Sequence, residues 1–247
     1  MGGVARALDF YRLSFAEAFE TVVSTIRNEL GLELTGRRAK LTSSIGDKLR
    51  RESIRLTQMQ DIAGCRLIVP DLTQQDSVVQ SLNRLFESVS IIDRRKQPSH
   101  GYRAVHVIVD YRGKKIEIQI RTSLQHLWAE ASEKFSDEID PAIKYGGGDK
   151  RLQELLMSIS VLVAEHEHLE YQFADLIVEL SMNAAELSPL MDGRVTEEVR
   201  NQLIVIQNSL GKIIATLQKK MDRQRQDVSN FLREAVEAAK TLKEERK

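Results

Sequence analysis

Three short motifs hold the residues with chemistry to offer. Asp61-Ile62-Ala63-Gly64-Cys65-Arg66 is followed by Gly101-Tyr102-Arg103-Ala104-Val105-His106 and then by Glu117-Ile118-Gln119-Ile120-Arg121-Thr122. Each lies in or beside an apolar, β-branched run. Strand positions or strand ends would therefore bring two carboxylates, two arginines, a tyrosine and a histidine around one site. Two acids that can share a divalent cation, among guanidinium and aromatic planes, suggest nucleotide chemistry with Mg2+. Glu117, Gln119 and Arg121 share one strand face by the period of two, and so do Tyr102 and His106. Read singly these residues are ordinary: an acid beside a strand is usually a cap or surface group, and a lone strand histidine is usually structural. Their joint spacing is what points to a site.

The elements that must position them follow from periodicity. Residues 9–30 read as one amphipathic helix, with Asp9 as a cap and Gly31 as its stop, and Ser43 or Ser44 opens a second helix to about Arg51. The apolar run 62–69 reads as a central strand ended by Pro70. A helix over 74–86 and strands over 89–94, 104–111 and 115–121 come next, with Arg112-Gly113 as a hairpin turn between the last two. Residues 124–139 return to helix. This order indicates an α+β fold in which a mixed sheet is flanked by helices.

Gly146-Gly147-Gly148 marks a boundary between a domain over 1–145 and a helical extension over 146–247. Leu152, Leu155, Ile159, Leu162, His166, Leu169, Phe173, Leu176 and Leu180 alternate steps of three and four. Val199, Leu203, Ile206, Leu210, Ile213 and Leu217 do the same, with a stutter at Met221. Such seams favour left-handed coiled-coil packing. Pro189 and Gly193 lie between the segments, so the simplest shape is an antiparallel helical hairpin. It serves self-association or a partner, or closes on its own seam, where His166 could specify register.

Composition removes other classes. The chain has 247 residues, 42% hydrophobic and 29% charged, with a formal net charge of zero. No global basic field argues for nonspecific nucleic-acid binding. The single Cys65 excludes an internal disulfide framework or a cysteine-rich zinc site. No apolar run is long enough to span a bilayer, and Arg6, Asp9 and Arg12 interrupt any signal-peptide core, so the expected location is the cytoplasm with no membrane contact.

From about Gly36 to about Glu138 these motifs, in this order, resemble the RelA/SpoT-type alarmone synthetases, in their small, synthetase-only form. The resemblance implies a nucleotidyltransferase-like synthetase domain that moves pyrophosphate from ATP to the ribose 3′-hydroxyl of GDP or GTP, releasing AMP. It implies Asp61 and Glu117 as Mg2+ ligands, with Glu117 also catalytic, and Arg38 and Arg66 as a clamp on adenine. Lys40 and Lys48, the latter ten residues after Arg38, would hold ATP phosphates. Tyr102 would stack on the acceptor base and His106 would contact phosphate or the reacting hydroxyl. Lys96, Gln119 and Arg121 would complete the acceptor side. Trp128-Ala129-Glu130 matches the family's helix, but Glu133-Lys134 stands where a Glu-His pair is usual. Two alternatives remain open: transfer to the 3′ end of tRNA or to an adenosine nucleotide, and a catalytically silent binding module.

Overall fold

The computed structural model describes residues 2–35, 40–191 and 196–244. The sequence-predicted clamp residue Arg38 lies outside them. Four strands, β1 (Ala63–Val69), β2 (Val89–Asp93), β3 (Val105–Tyr111) and β4 (Lys114–Thr122), form one sheet in the order β1-β4-β3-β2. β1 runs parallel to β4, while the β4–β3 and β3–β2 pairs are antiparallel. The expected hairpin is present. Tyr111 pairs with Lys114 across Arg112 and Gly113, both with positive φ, as a two-residue primed turn requires.

Two helical expectations are adjusted. The single helix over 9–30 is two, α1 (Gly2–Leu13) and α2 (Ala16–Leu30), because the chain turns at Ser14 and buries Phe15. Asp9 lies inside α1 and accepts a hydrogen bond from Thr42 rather than capping a helix. The stop at Gly31 holds, with φ at 63° and its N–H donating to the Arg27 carbonyl. The remaining helices are α3 (Thr42–Glu52), α4 (Leu72–Leu85), capped by the Asp71 side chain, and α5 (Ser123–Glu138).

β1 is an edge strand, not a central one. Its outer side is covered locally by Thr35, which exchanges two backbone hydrogen bonds of 2.8 Å with Arg66, and by the Lys40 N–H on the Ile62 carbonyl. That cover explains an apolar run typical of an interior position. One sheet face turns Ala63, Cys65, Leu67, Val105, Val107, Ile116, Ile118 and Ile120 into a core closed by α2 and α4. The opposite face carries the candidate chemistry, and α5 packs against it.

Beyond the glycine run, α6 (Lys150–Met191) passes through Pro189, and α7 (Glu197–Glu244) returns alongside; Gly193 lies outside the described residues. Leu156 and Val163 share a core with Leu232, and Glu170 meets Arg225, so the two helices are antiparallel. The apolar seam expected between them does not close: Leu162, Leu169, Leu176, Ile206 and Ile213 stay exposed. The buried stripe of α6 keeps Ile159 and His166 from that seam but turns toward Leu156, Ser160, Val163 and Glu167, and it packs on α5. His166 is buried as expected, held by Glu170 at 3.0 Å.

Candidate active site

On β4, Ile116, Ile118 and Ile120 point to the core, so Glu117, Gln119 and Arg121 are delivered to the other face. Register places His106 opposite Gln119 on β3, and Gly64 and Arg66 opposite Glu117 and Gln119 on β1. Tyr102 precedes β3 in a tight turn, with His100 and Gly101 at positive φ between the mutually bonded Ser99 and Tyr102.

Five side chains close a ring. His106 Nδ1 lies 2.9 Å from Glu117 Oε1, and Tyr102 Oη lies 2.9 Å from His106 Nε2. Arg121 donates to Tyr102 Oη at 3.2 Å and to Gln119 Oε1 at 2.9 Å, and Gln119 Nε2 donates back to Glu117 Oε2 at 2.9 Å. A carboxylate only accepts, so His106 Nδ1 carries a proton; in the neutral ring Nε2 then accepts from the tyrosine hydroxyl. Burial works against the Glu117 charge, yet His106 and Gln119 prevail and hold its carboxyl below the ordinary carboxylate range. Burial pushes the Tyr102 hydroxyl up, so it stays a neutral donor.

Asp61 lies just before β1 and faces Glu117 closely enough for the two charges to repel. Lys40 and Lys48 reach Asp61 Oδ2 at 2.7 and 3.0 Å. Burial again opposes the charge, but the two ammoniums outweigh it and depress the Asp61 carboxyl. Asp61 Oδ1 is buried and has no partner. Two ionised acids and one idle oxygen fit a hard cation. Among the described residues no cluster of three or more ligating side chains exists. Water and substrate phosphate would have to complete the shell, as is usual for Mg2+. Lys40 and Lys48 sit on this acid rather than apart as a phosphate pair.

Because Asp61 and Glu117 are depressed, each stabilises the fold above its unfolded value, near ~3.9 and ~4.3, and that contribution is lost as pH falls through the lower folded value. The melting temperature of Asp61→Asn should therefore fall below that of the parent at neutral pH and converge with it below about pH 4, a range set by the unfolded carboxylate value. Parallel curves across the whole range would remove Asp61 from this role.

Several buried nitrogens wait for partners. Arg66 Nε, Arg121 Nε and Nη1, and His126 Nδ1 make no hydrogen bond. Burial and the charge of Arg121 both disfavour the Arg66 cation. Cations crowded this way, with idle donors, suit an anionic ligand. A cleft of about 160 Å³ opens beside Tyr102, lined also by His100, Glu133, Lys144 and Tyr145. Lys96 is exposed in the turn after β2 and joins no part of the ring. Its neighbour Arg95 is structural, paired with Asp93 and Asp76 at 2.9 and 2.8 Å.

Sequence reading missed two contributors. A Cβ on Gly64 would stand 2.6 Å from the Glu117 carbonyl oxygen, so only glycine lets β1 approach β4 there. The second is His126, which borders Arg66 and Arg121. The glycine inside a strand-like run was the available signal for Gly64; nothing marked His126.

Residues 37–137 match the family model described as the region found in RelA/SpoT proteins. Through this region, less than half of its length, the chain is similar to RelA/SpoT proteins. The uncharacterized protein Rv1366 of Mycobacterium tuberculosis is 35% identical over 153 residues, which is 60% of this chain and 54% of that protein. A guanosine-3′,5′-bis(diphosphate) 3′-pyrophosphohydrolase of Aquifex aeolicus is 36% identical over 118 residues, 44% of this chain and 17% of that enzyme. The chain thus spans about half the length of the first curated relatives it matches. Its fold is that of the small alarmone synthetases. The crystal structure of small alarmone synthetase 1 from Bacillus subtilis bound to its product pppGpp superposes with a TM-score of 0.55 at 21% identity, over 70% of this chain and 99% of that one.

Proposed function

We propose that this chain is a RelA/SpoT-type pyrophosphokinase that moves the β,γ-pyrophosphate of ATP to the ribose 3′-hydroxyl of GDP or GTP. The observation that carries this reading is the ring from Glu117 through His106, Tyr102, Arg121 and Gln119, facing Asp61 across the sheet. The acceptor's 3′-oxygen bonds to the β-phosphorus as the bond from that phosphorus to the oxygen shared with the α-phosphate breaks, and AMP leaves with that oxygen. Mg2+ held by Asp61 and Glu117 would supply charge neutralisation on the phosphates. Glu117, ionised and oriented by His106 Nδ1–H, takes the hydroxyl proton. The idle donors of Arg66 and Arg121 receive phosphate oxygens or stack on a base, and Tyr102 presents its ring to the acceptor base. Most of the rate would come from positioning and electrostatics. The open apolar stripe on α6 and α7 supports a self-association or partner-binding role for these helices.

Offering GDP, GTP, ATP and deacylated tRNA separately, with ATP labelled in its β- and γ-phosphates, tests the acceptor. Label on GDP or GTP supports the proposal. Label on tRNA or ATP would place the chain among toxin-like relatives, and none on any acceptor would leave a binding module. Tyr102→Ala should lower kcat/KM for the acceptor by about a hundredfold, as loss of a base stack and a ring hydrogen bond allows. The ATP KM should change much less. Equal damage to both substrates would break the assigned division of the site.

A further inference from the structure

The acceptor side of the site is held from behind by α6, a helix that sequence periodicity placed outside the synthetase domain. Ser160 Oγ donates to the Gly101 carbonyl at 2.6 Å, one residue before Tyr102. Trp128 Nε1 donates to the Leu156 carbonyl at 2.8 Å, and a Cβ on Gly101 would stand 2.7 Å from the Trp128 ring and 3.3 Å from Ser160 Cβ. The turn that carries Tyr102 is therefore wedged between Trp128 and α6.

About two helical turns further on from Ser160, Glu167 is 2% exposed. One of its oxygens accepts from the Thr122 hydroxyl and the other from Gln125 Nε2 at 3.0 Å. Thr122 follows Arg121 directly and is the N-cap of α5, where Gln125 completes the capping box. Gln125 also bonds Gln75, whose amide holds the Ile120 carbonyl at 2.8 Å. A buried acid costs free energy unless its bonds are satisfied. Burial raises this one despite those two bonds and the nearby Arg103. An apolar residue would leave the buried Thr122 hydroxyl and Gln125 amide without this acceptor, so the carboxyl holds its place by its geometry.

We propose that Glu167 and Ser160 are positioning residues: Glu167 locks the junction after Arg121, Ser160 locks the turn before Tyr102, and together they set the two acceptor-side members of the ring. The proposal rests on the pyrophosphokinase reading above.

The test uses the full chain with Ser160→Ala, Glu167→Ala and the near-isosteric Glu167→Gln. Label transfer is measured with separate KM values for ATP and acceptor. Emission and acrylamide quenching of Trp128, the chain's single tryptophan, report the junction without reference to activity. Ser160→Ala and Glu167→Gln should fold with parental far-UV circular dichroism and keep the ATP KM within about twofold. Their acceptor kcat/KM should fall about tenfold, the scale of one buried hydrogen bond, and quenching should rise. Should Glu167→Ala fail to fold, the other two variants decide. Equal losses on ATP and acceptor, or none, from an active parent would overturn the positioning role alone. A parent that moves label to no acceptor would remove the pyrophosphokinase reading, and this proposal with it.

Discussion

Glu117→Gln is expected to abolish transfer, by about a thousandfold or more, the range open to a general base that also serves the cation. The substitution keeps shape and an acceptor for His106 Nδ1–H, so the chain should stay folded, melting below the parent at neutral pH as loss of the depressed carboxylate requires. What it removes is a charge that His106 and Gln119 hold ionised inside a buried strand face. The amide can neither accept the hydroxyl proton nor help neutralise phosphate. Steady-state kinetics beside a thermal melt checks both halves. Full residual turnover would remove Glu117 from the mechanism, and gross unfolding would make it a structural acid.

The second large effect is on folding. A chain ended at Gly148 should lose cooperative unfolding as well as activity. Leu156, Ile159, Val163 and Leu232 cover Leu124, Trp128, Phe135 and Ile143 in a shared core. Burying each such side chain is worth about 1.5–3 kcal/mol, so their removal approaches the ~5–15 kcal/mol that holds a whole domain. Trp128 Nε1 and the Thr122–Gln125 cap would also lose their α6 partners. Calorimetry of the truncated chain would show a broad or absent transition. A sharp melt near the parental temperature would mean that 1–148 folds by itself and that α6 is dispensable.

Much of the site was legible because strands alternate. Glu117, Gln119 and Arg121 could only emerge on one face once Ile116, Ile118 and Ile120 were placed in the core, and the Arg112-Gly113 turn fixed β3 beside β4. What periodicity could not show was the pairing of β1. An apolar run reads the same at an edge whose outer side is covered, and the Thr35 bridge that covers it spans 31 residues. The α6 seam misled for a related reason. Its richest apolar stripe faces outward, while the stripe that packs on α5 includes Ser160, His166 and Glu167, whose polarity is paid for by specific bonds that no local pattern announces. Ser14 and Phe15 show the same limit in α1 and α2, where a tertiary contact breaks a helix that is locally continuous. Arg38, carried by resemblance, lies outside the described residues.

The most direct measurement is the fate of the α-phosphate when full-length protein, Mg2+, ATP and GDP or GTP are combined. Transfer of pyrophosphate releases AMP, one for each acceptor modified, with no accumulation of ADP. That stoichiometry, read by ³¹P NMR or nucleotide chromatography and lost in Glu117→Gln, is the expected result. ADP formed in step with product, or an acceptor modified without AMP, would contradict attack at the β-phosphorus and the assignment built on it.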